Sequence, residues 1–243
     1  MYKDINFKTE NLNGNTKQSK LIADLLDFES NGNDHVSSSA QTPLKQNAFE
    51  QSDEEKIDII EEHFAAIMDT LGLDLSDESL AGTPHRVAKM YVKEIFQGLN
   101  PAHKPFMKTF SNDYHYDEIL LEKNISVKSY CEHHFVPITG KAHVAYISSG
   151  QVVGLSKLNR IVDHFSRRPQ VQERLTIQIA NELKKALNTE DVAVIIQAEH
   201  MCVSSRGIQD DGSSTTTSSF NGQFNDRFKK QELLEMIKMD LKS

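Results

Sequence analysis

Residues 119–146 read ILLEKNISVKSYCEHHFVPITGKAHVAY, and the reading of this stretch decides the fold. Ile125, Val127 and Ser129 alternate with polar neighbours, and after Gly140 the same period returns at Ala142, Val144 and Tyr146. An extended chain points successive side chains to opposite faces, so a period of two marks a strand with one face against a core. The segment predicts two antiparallel strands joined across Cys131-Glu132-His133-His134.

Downstream, helical spacing takes over at residues 156–167 and again at 169–187. There Val171, Leu175, Ile179 and Leu183 form a stripe four residues apart behind the first-turn proline Pro169. Residues 192–202 and 215–220 read as two further strands and 231–241 as a last helix. Upstream, Ser52-Asp53-Glu54-Glu55 has the form of a capping box ahead of Ile57, Ile60, Phe64, Ile67, Met68 and Leu71, and Gly72 stops that helix. Thr83-Pro84 opens a second helix carrying Val87, Met90, Tyr91, Ile95 and Phe96 to Gly98, antiparallel to the first.

This order predicts an α+β fold, a four-stranded antiparallel sheet backed by two helices and preceded by an N-terminal helical pair. One catalytic domain spans 53–243, with its helices in 53–118 and its sheet and covering helices in 119–243. Residues 1–52 are expected to be a disordered extension, because 29–53 is rich in Ser, Asn, Gln and Asp. Within it only Leu21, Ile22, Leu25, Leu26 and Phe28 keep helical spacing.

At 243 residues and 38% hydrophobic content the chain can bury one sizeable core. Its apolar runs, such as residues 192–196, fall far short of the roughly 20 residues that span a bilayer, so no membrane partner is expected. The opening MYKDINFKTE lacks the basic-then-apolar layout of a secretory signal, which points to the cytoplasm. A net charge of −8 repels polyanions and argues against nucleic acid as a partner, so any phosphate site must be a local basic cluster. In a reducing compartment the two cysteines, Cys131 and Cys202, are better used for metal binding or catalysis than for a disulfide.

Both cysteines have histidines close by: Cys131-Glu132-His133-His134 after one strand, His200-Met201-Cys202 at the end of another. A lone cysteine or histidine is usually a core residue, but this clustering favours a metal. Thiolate and imidazole are the ligands zinc prefers, and Cys131, His134 and Cys202 would leave one tetrahedral position for water, the layout of a catalytic site. His133 and His200 suit proton transfer, although either could replace His134 or complete a closed structural shell. An i, i+2 relation along a strand would put His200 on the same face as Cys202.

Ser156-Lys157-Leu158-Asn159-Arg160 opens a helix directly after Gly154, where backbone N–H groups already favour an anion. Lys157 and Arg160 neighbour each other on that helix, and Arg206 can bring a third positive charge near the metal, a cluster suited to a polyphosphate. Gln172 and Glu173 fall in the first turn of the next helix. A carboxylate there is favoured by the dipole alone, and it also offers two acceptors to the paired N–H donors of a guanine edge.

In order and spacing, the segments Gly82-Thr83-Pro84-His85-Arg86-Val87-Ala88-Lys89-Met90-Tyr91, Cys131–Phe135, Gly154–Arg160, Arg168–Leu175 and His200–Gly207 resemble the GTP cyclohydrolase I family. The likeness covers residues 53–240. It implies zinc on Cys131, His134 and Cys202, with His133 and His200 as proton carriers and Ser156 near the ribose. Glu173, with Gln172 beside it, would recognise guanine. Lys157, Arg160 and Arg206 would bind the triphosphate, and Arg86 and Lys89 would reach a neighbouring subunit's phosphates. The resemblance further implies a tunnelling fold, a toroidal homodecamer with active sites at subunit boundaries, and conversion of GTP to formate and 7,8-dihydroneopterin triphosphate. The extension up to residue 52 carries no family motif and leaves allosteric control open. Pterin synthases and nitrile reductases of the same fold fit the Cys131, His134 and Cys202 set less well, and a catalytically silent zinc-binding scaffold is the rival from another class.

Overall fold

The structure, a computed structural model, describes residues 39–239. Residues 1–38, with the apolar stripe at 21–28, and the end of the last expected helix lie outside the described residues.

Helix α1 (Asp53–Thr70) begins where the capping box requires. Ser52 Oγ accepts the Glu55 N–H at 3.2 Å, and Glu55 Oε2 accepts the Ser52 N–H at 2.7 Å. The helix buries Ile57 and Met68 but leaves Ile67 and Leu71 exposed. A short α2 (Glu78–Ala81) leads into α3 (Thr83–Met90), which has Pro84 in its first turn and packs on α1. The single helix expected to run on to Gly98 is broken instead. A π turn at Tyr91–Ile95 and a 3-10 turn at Gln97–Leu99 follow α3.

Two three-residue strands, β1 (Thr109–Ser111) and β4 (Gln151–Val153), pair as a separate ribbon, too short for a period of two to announce them. The main sheet holds β2 (Leu120–Cys131), β3 (Pro137–Tyr146), β5 (Pro169–Gln170), β6 (Val192–His200) and β7 (Thr215–Phe220), in the order β5-β2-β3-β6-β7. β2, β3, β6 and β7 run antiparallel to one another in that order, with Ile125 opposite Ala142 and Val127 opposite Gly140. The sheet therefore has five strands rather than four.

The fifth, β5, pairs parallel with the end of β2, Tyr130 opposite Pro169 and Cys131 opposite Gln170. The sequence reading put Pro169 in the first turn of a helix. Proline disfavours helical backbone in the residue before it, and Gln170 spends its amide on Phe165 O at 2.9 Å and Gln178 Oε1 at 3.0 Å. Helix α5 (Gln172–Leu187) accordingly starts three residues later.

Helix α4 (Leu155–Ser166) and α5 cover one face of the sheet, and the core lies between. Ile125, Val127, Ile138, Val144, Leu158, Ile161, Leu175, Ile179, Leu183, Val194 and Ile196 fill it. Helix α6 (Met201–Ser204) follows β6 directly, and α7 (Arg227–Lys238) closes a smaller cluster of Ala145, Ala193, Phe224 and Leu233 on the opposite face. Gly98 explains the broken helix: a Cβ there would sit 2.1 Å from His164 O, and its N–H donates to Arg167 O at 3.0 Å. The chain has to lie flat on the end of α4.

Candidate metal centre

Cys131 is the last residue of β2, and the turn after it folds back on it. Cys131 N–H donates to Val136 O and Phe135 N–H to Cys131 O, both at 2.8 Å, with Phe135 at φ 54°. That turn returns His134 toward the Cys131 sulfur. From the next strand but one, His200 ends β6 opposite Ile138 of β3, and α6 then delivers Cys202. The two Sγ atoms and a ring nitrogen of His134 all lie within 4.8 Å of one another. Cys131 is buried, Cys202 half-buried and His134 exposed, so the trio opens to solvent on the histidine side.

Cys202 lies in a helical turn, and the expected i, i+2 relation along a strand does not hold. His200 faces Gln172 instead. The Gln172 amide nitrogen donates to Ile196 O and Thr215 O at 3.0 Å and to Thr217 Oγ1 at 3.1 Å, which fixes the orientation of the amide. Its Oε1 then meets His200 Nε2 at 2.7 Å, so that nitrogen carries the proton and Nδ1 holds the lone pair. Gln172, read from sequence as a substrate contact, is 1% exposed and turned inward. Burial pushes His200 below the ordinary imidazole range, and the exposed carboxylate of Glu173 opposes that shift.

His133 Nδ1 lies 3.6 Å from Cys131 Sγ and its Nε2 3.7 Å from Glu132 Oε1. Arg206 Nη1 donates to His134 Nε2 at 2.8 Å. Ser156 and Lys157 stand in the first turn of α4, whose N-cap Gly154 provides no side-chain acceptor for the first N–H groups. Arg160 lines a cleft with Gln97, His103, Asp163, His164 and Arg167. Arg86 donates to Thr83 Oγ1 at 2.7 Å, and Lys89 is exposed on α3. Among the described residues, no hydrogen bond or ion pair joins Ser156, Lys157, Arg160, Arg86 or Lys89 to Cys131, His134, Cys202 or Arg206.

The GTP cyclohydrolase I family profile matches residues 60–238. The chain belongs to the GTP cyclohydrolase I family. Its relatives include the GTP cyclohydrolase 1 of Flavobacterium johnsoniae, 60% identical over 209 residues, which is 86% of this chain and 94% of that one. The Aeromonas hydrophila GTP cyclohydrolase 1 is 55% identical over 184 residues, 76% of this chain and 84% of the relative. That of Salmonella arizonae is 46% identical over 224 residues, 92% and 97% of the two chains.

In this member of the GTP cyclohydrolase I family the trio passes a chemical test as a metal site. Two thiols and an imidazole match the ligands zinc takes, and their spread approaches the span of one ion with bonds of about 2.0–2.3 Å. Burial first, and then the neighbouring Cys131 sulfur, push the Cys202 thiol well above its ordinary range. A bound cation would supply the opposite charge that favours both thiolates.

Sequence reasoning missed the support behind the trio. Arg174, 4% exposed, forms an ion pair with Glu132, donates from Nε to Gln170 Oε1 at 2.9 Å and from Nη2 to Pro169 O at 3.1 Å. This network ties the Cys131–His134 turn to β5 and α5. The available signal was a charged residue directly beside the apolar stripe, between Val171 and Leu175.

Proposed function

We propose that this chain is a zinc-dependent GTP cyclohydrolase, opening the guanine imidazole ring at C8, releasing formate and forming 7,8-dihydroneopterin triphosphate. The observation that carries the reading is the convergence of Cys131 and His134, from the end of β2 and its turn, with Cys202 from α6, in a chain of this family. Zinc held by these residues supplies a Lewis acid that makes water nucleophilic at neutral pH.

The rest of the work falls to side chains of the protein. Glu173 presents two acceptor oxygens to the paired N–H donors of guanine and places C8 over the trio. His200, its Nε2–H locked on Gln172, offers Nδ1 as a proton acceptor, and His133 stands against Cys131 as a second proton carrier. The first hydrolysis adds one water and breaks one C–N bond. The second adds another and expels C8 as formate, after which the ribose carbons rearrange to a ketone that condenses with the freed amine and releases one water. Gln172 acts through His200 rather than on the base.

Lys157, Arg160 and Arg206 bind the triphosphate and Ser156 lies by the ribose. Among the described residues no hydrogen bond or ion pair joins the basic residues of α3 and α4 to the trio, which supports a site completed by neighbouring copies, with Arg86 and Lys89 reaching across. This accords with a tunnelling fold closed into a toroidal homodecamer, acting in the cytoplasm. Incubating the purified zinc-loaded chain with GTP should release formate and yield a fluorescent oxidised pterin. Zinc binding without either product would refute the reading and leave a silent scaffold.

A further inference from the structure

We propose that Arg206 exchanges between two partners, the metal ligand His134 and the triphosphate, so that metal entry hands its guanidinium to the substrate. The proposal rests on the reading of Arg206 as a phosphate contact given above.

A guanidinium has only N–H donors and stays charged throughout the physiological range. With Arg206 Nη1 at 2.8 Å from His134 Nε2, that nitrogen has to be the acceptor. Its lone pair is then taken. A metal bound through Nε2 needs the same lone pair. A metal bound through Nδ1 drives the ring proton to Nε2 and sets one N–H against another. The Arg206–His134 hydrogen bond and a metal on His134 therefore exclude each other, whichever nitrogen ligates.

The release is favoured in two further ways. The His134 nitrogen lies within 4.8 Å of both sulfurs, so an arriving dication stands next to the guanidinium and repels it. Residues 205–214 form an exposed turn, and among the described residues no carboxylate pairs with Arg206 to compete for the side chain. Four residues beyond Cys202, the freed cation stands at the rim where a polyanion would enter. Binding linkage is reciprocal, so a triphosphate that draws Arg206 off His134 also eases metal entry.

Two titrations on the full chain test this. In the first, zinc is titrated against a chromophoric chelator without nucleotide, in about 0.5 M salt to screen the field of the guanidinium. Arg206→Ala should bind zinc about fivefold more tightly than wild type, since a charge-assisted hydrogen bond no longer competes. Equal or weaker binding would overturn the exchange.

In the second, GTP binding is measured under chelation, where GTP stays intact. His134→Ala should bind GTP about fivefold more tightly because Arg206 has lost its other partner, and Arg206→Ala with His134→Ala should lose that gain. A His134→Ala chain with unchanged GTP affinity would overturn the exchange. Both residues are exposed, and unchanged thermal melts would confirm that each variant folds. Failure of the zinc-loaded chain to release formate would sink the assigned reaction without touching either titration, so the two readings fail separately.

Discussion

Lowering the pH should loosen the fold through one histidine that lies outside the metal centre. His164 on α4 is 5% exposed, and Arg168 Nη2 donates to its Nε2 at 2.8 Å, so the folded ring is neutral. Burial, then the cations Arg168 and Lys104, push it from 6.5 down to about 4, with Asp163 opposing and His103 adding to the shift. Between those two values the unfolded chain carries a proton at this ring that the folded chain lacks. Stability is therefore complete above 6.5 and drains away as pH falls toward 4. The full offset amounts to about 3 kcal/mol, of which about 2 kcal/mol is lost between about pH 7.5 and about pH 5. Urea denaturation at those two pH values, with chelator present to remove metal linkage, should show that loss in wild type. His164→Phe is less stable at neutral pH, because Arg168 loses its acceptor, but its pH dependence should be shallower by about 2 kcal/mol. Equal pH dependence in the two proteins would refute the reasoning.

Further outcomes follow from the same contacts. Gln172→Leu removes the acceptor that fixes the His200 tautomer and should lower kcat about 10–100-fold with little change in KM; a rise in KM with kcat intact would make Gln172 a substrate contact after all. Cys202→Ser should lose bound zinc and formate release together, read by metal analysis and a formate assay, and full turnover without metal would defeat the zinc chemistry. Glu173→Gln puts a donor in front of the guanine N–H groups, and kcat/KM for GTP should fall about a hundredfold or more. Gly98→Ala forces a methyl group into His164 O and should destabilise the fold by about 3 kcal/mol, measurable by denaturant titration.

Where one physical signal dominated, the fold was legible from sequence. The capping box at Ser52 and Glu55, the period-two strands around Val127 and Val144, and the Leu175–Leu183 stripe all appear in the structure. Boundaries slipped where tertiary contacts overrode local pattern. Pro169 and Gln170 pair with the end of β2, where Glu132 N–H donates to Gln170 O at 3.0 Å, and the strand through His200 gives way to the helical turn that carries Cys202. Ligand chemistry pointed to a metal near Cys131 and Cys202 but left His133, His134 and His200 open as the imidazole, and the structure brings His134 to the two sulfurs. The inward turn of Gln172 could not be read from sequence: its type suits a base reader, and only the converging carbonyls of Ile196 and Thr215 show that its amide points into the protein. Arg174 escaped because a buried arginine is rare enough that its place beside the stripe reads as a solvated face.

The pairing of Cys131 with Gln170 works as a ruler. One residue past Gln170 lies Val171, the N-cap of α5, and Glu173 follows in that helix's first turn, so the spacing from the Cys131 thiol to the carboxylate proposed to read guanine is graduated in backbone hydrogen bonds rather than rotamers. Adding or deleting a single residue here would swing Glu173 by about 100° around the helix axis and misread the base, metal centre intact. The exposed stretch at 205–214 is under no such gauge, and a residue inserted there would leave the spacing from Cys131 to Glu173 unchanged.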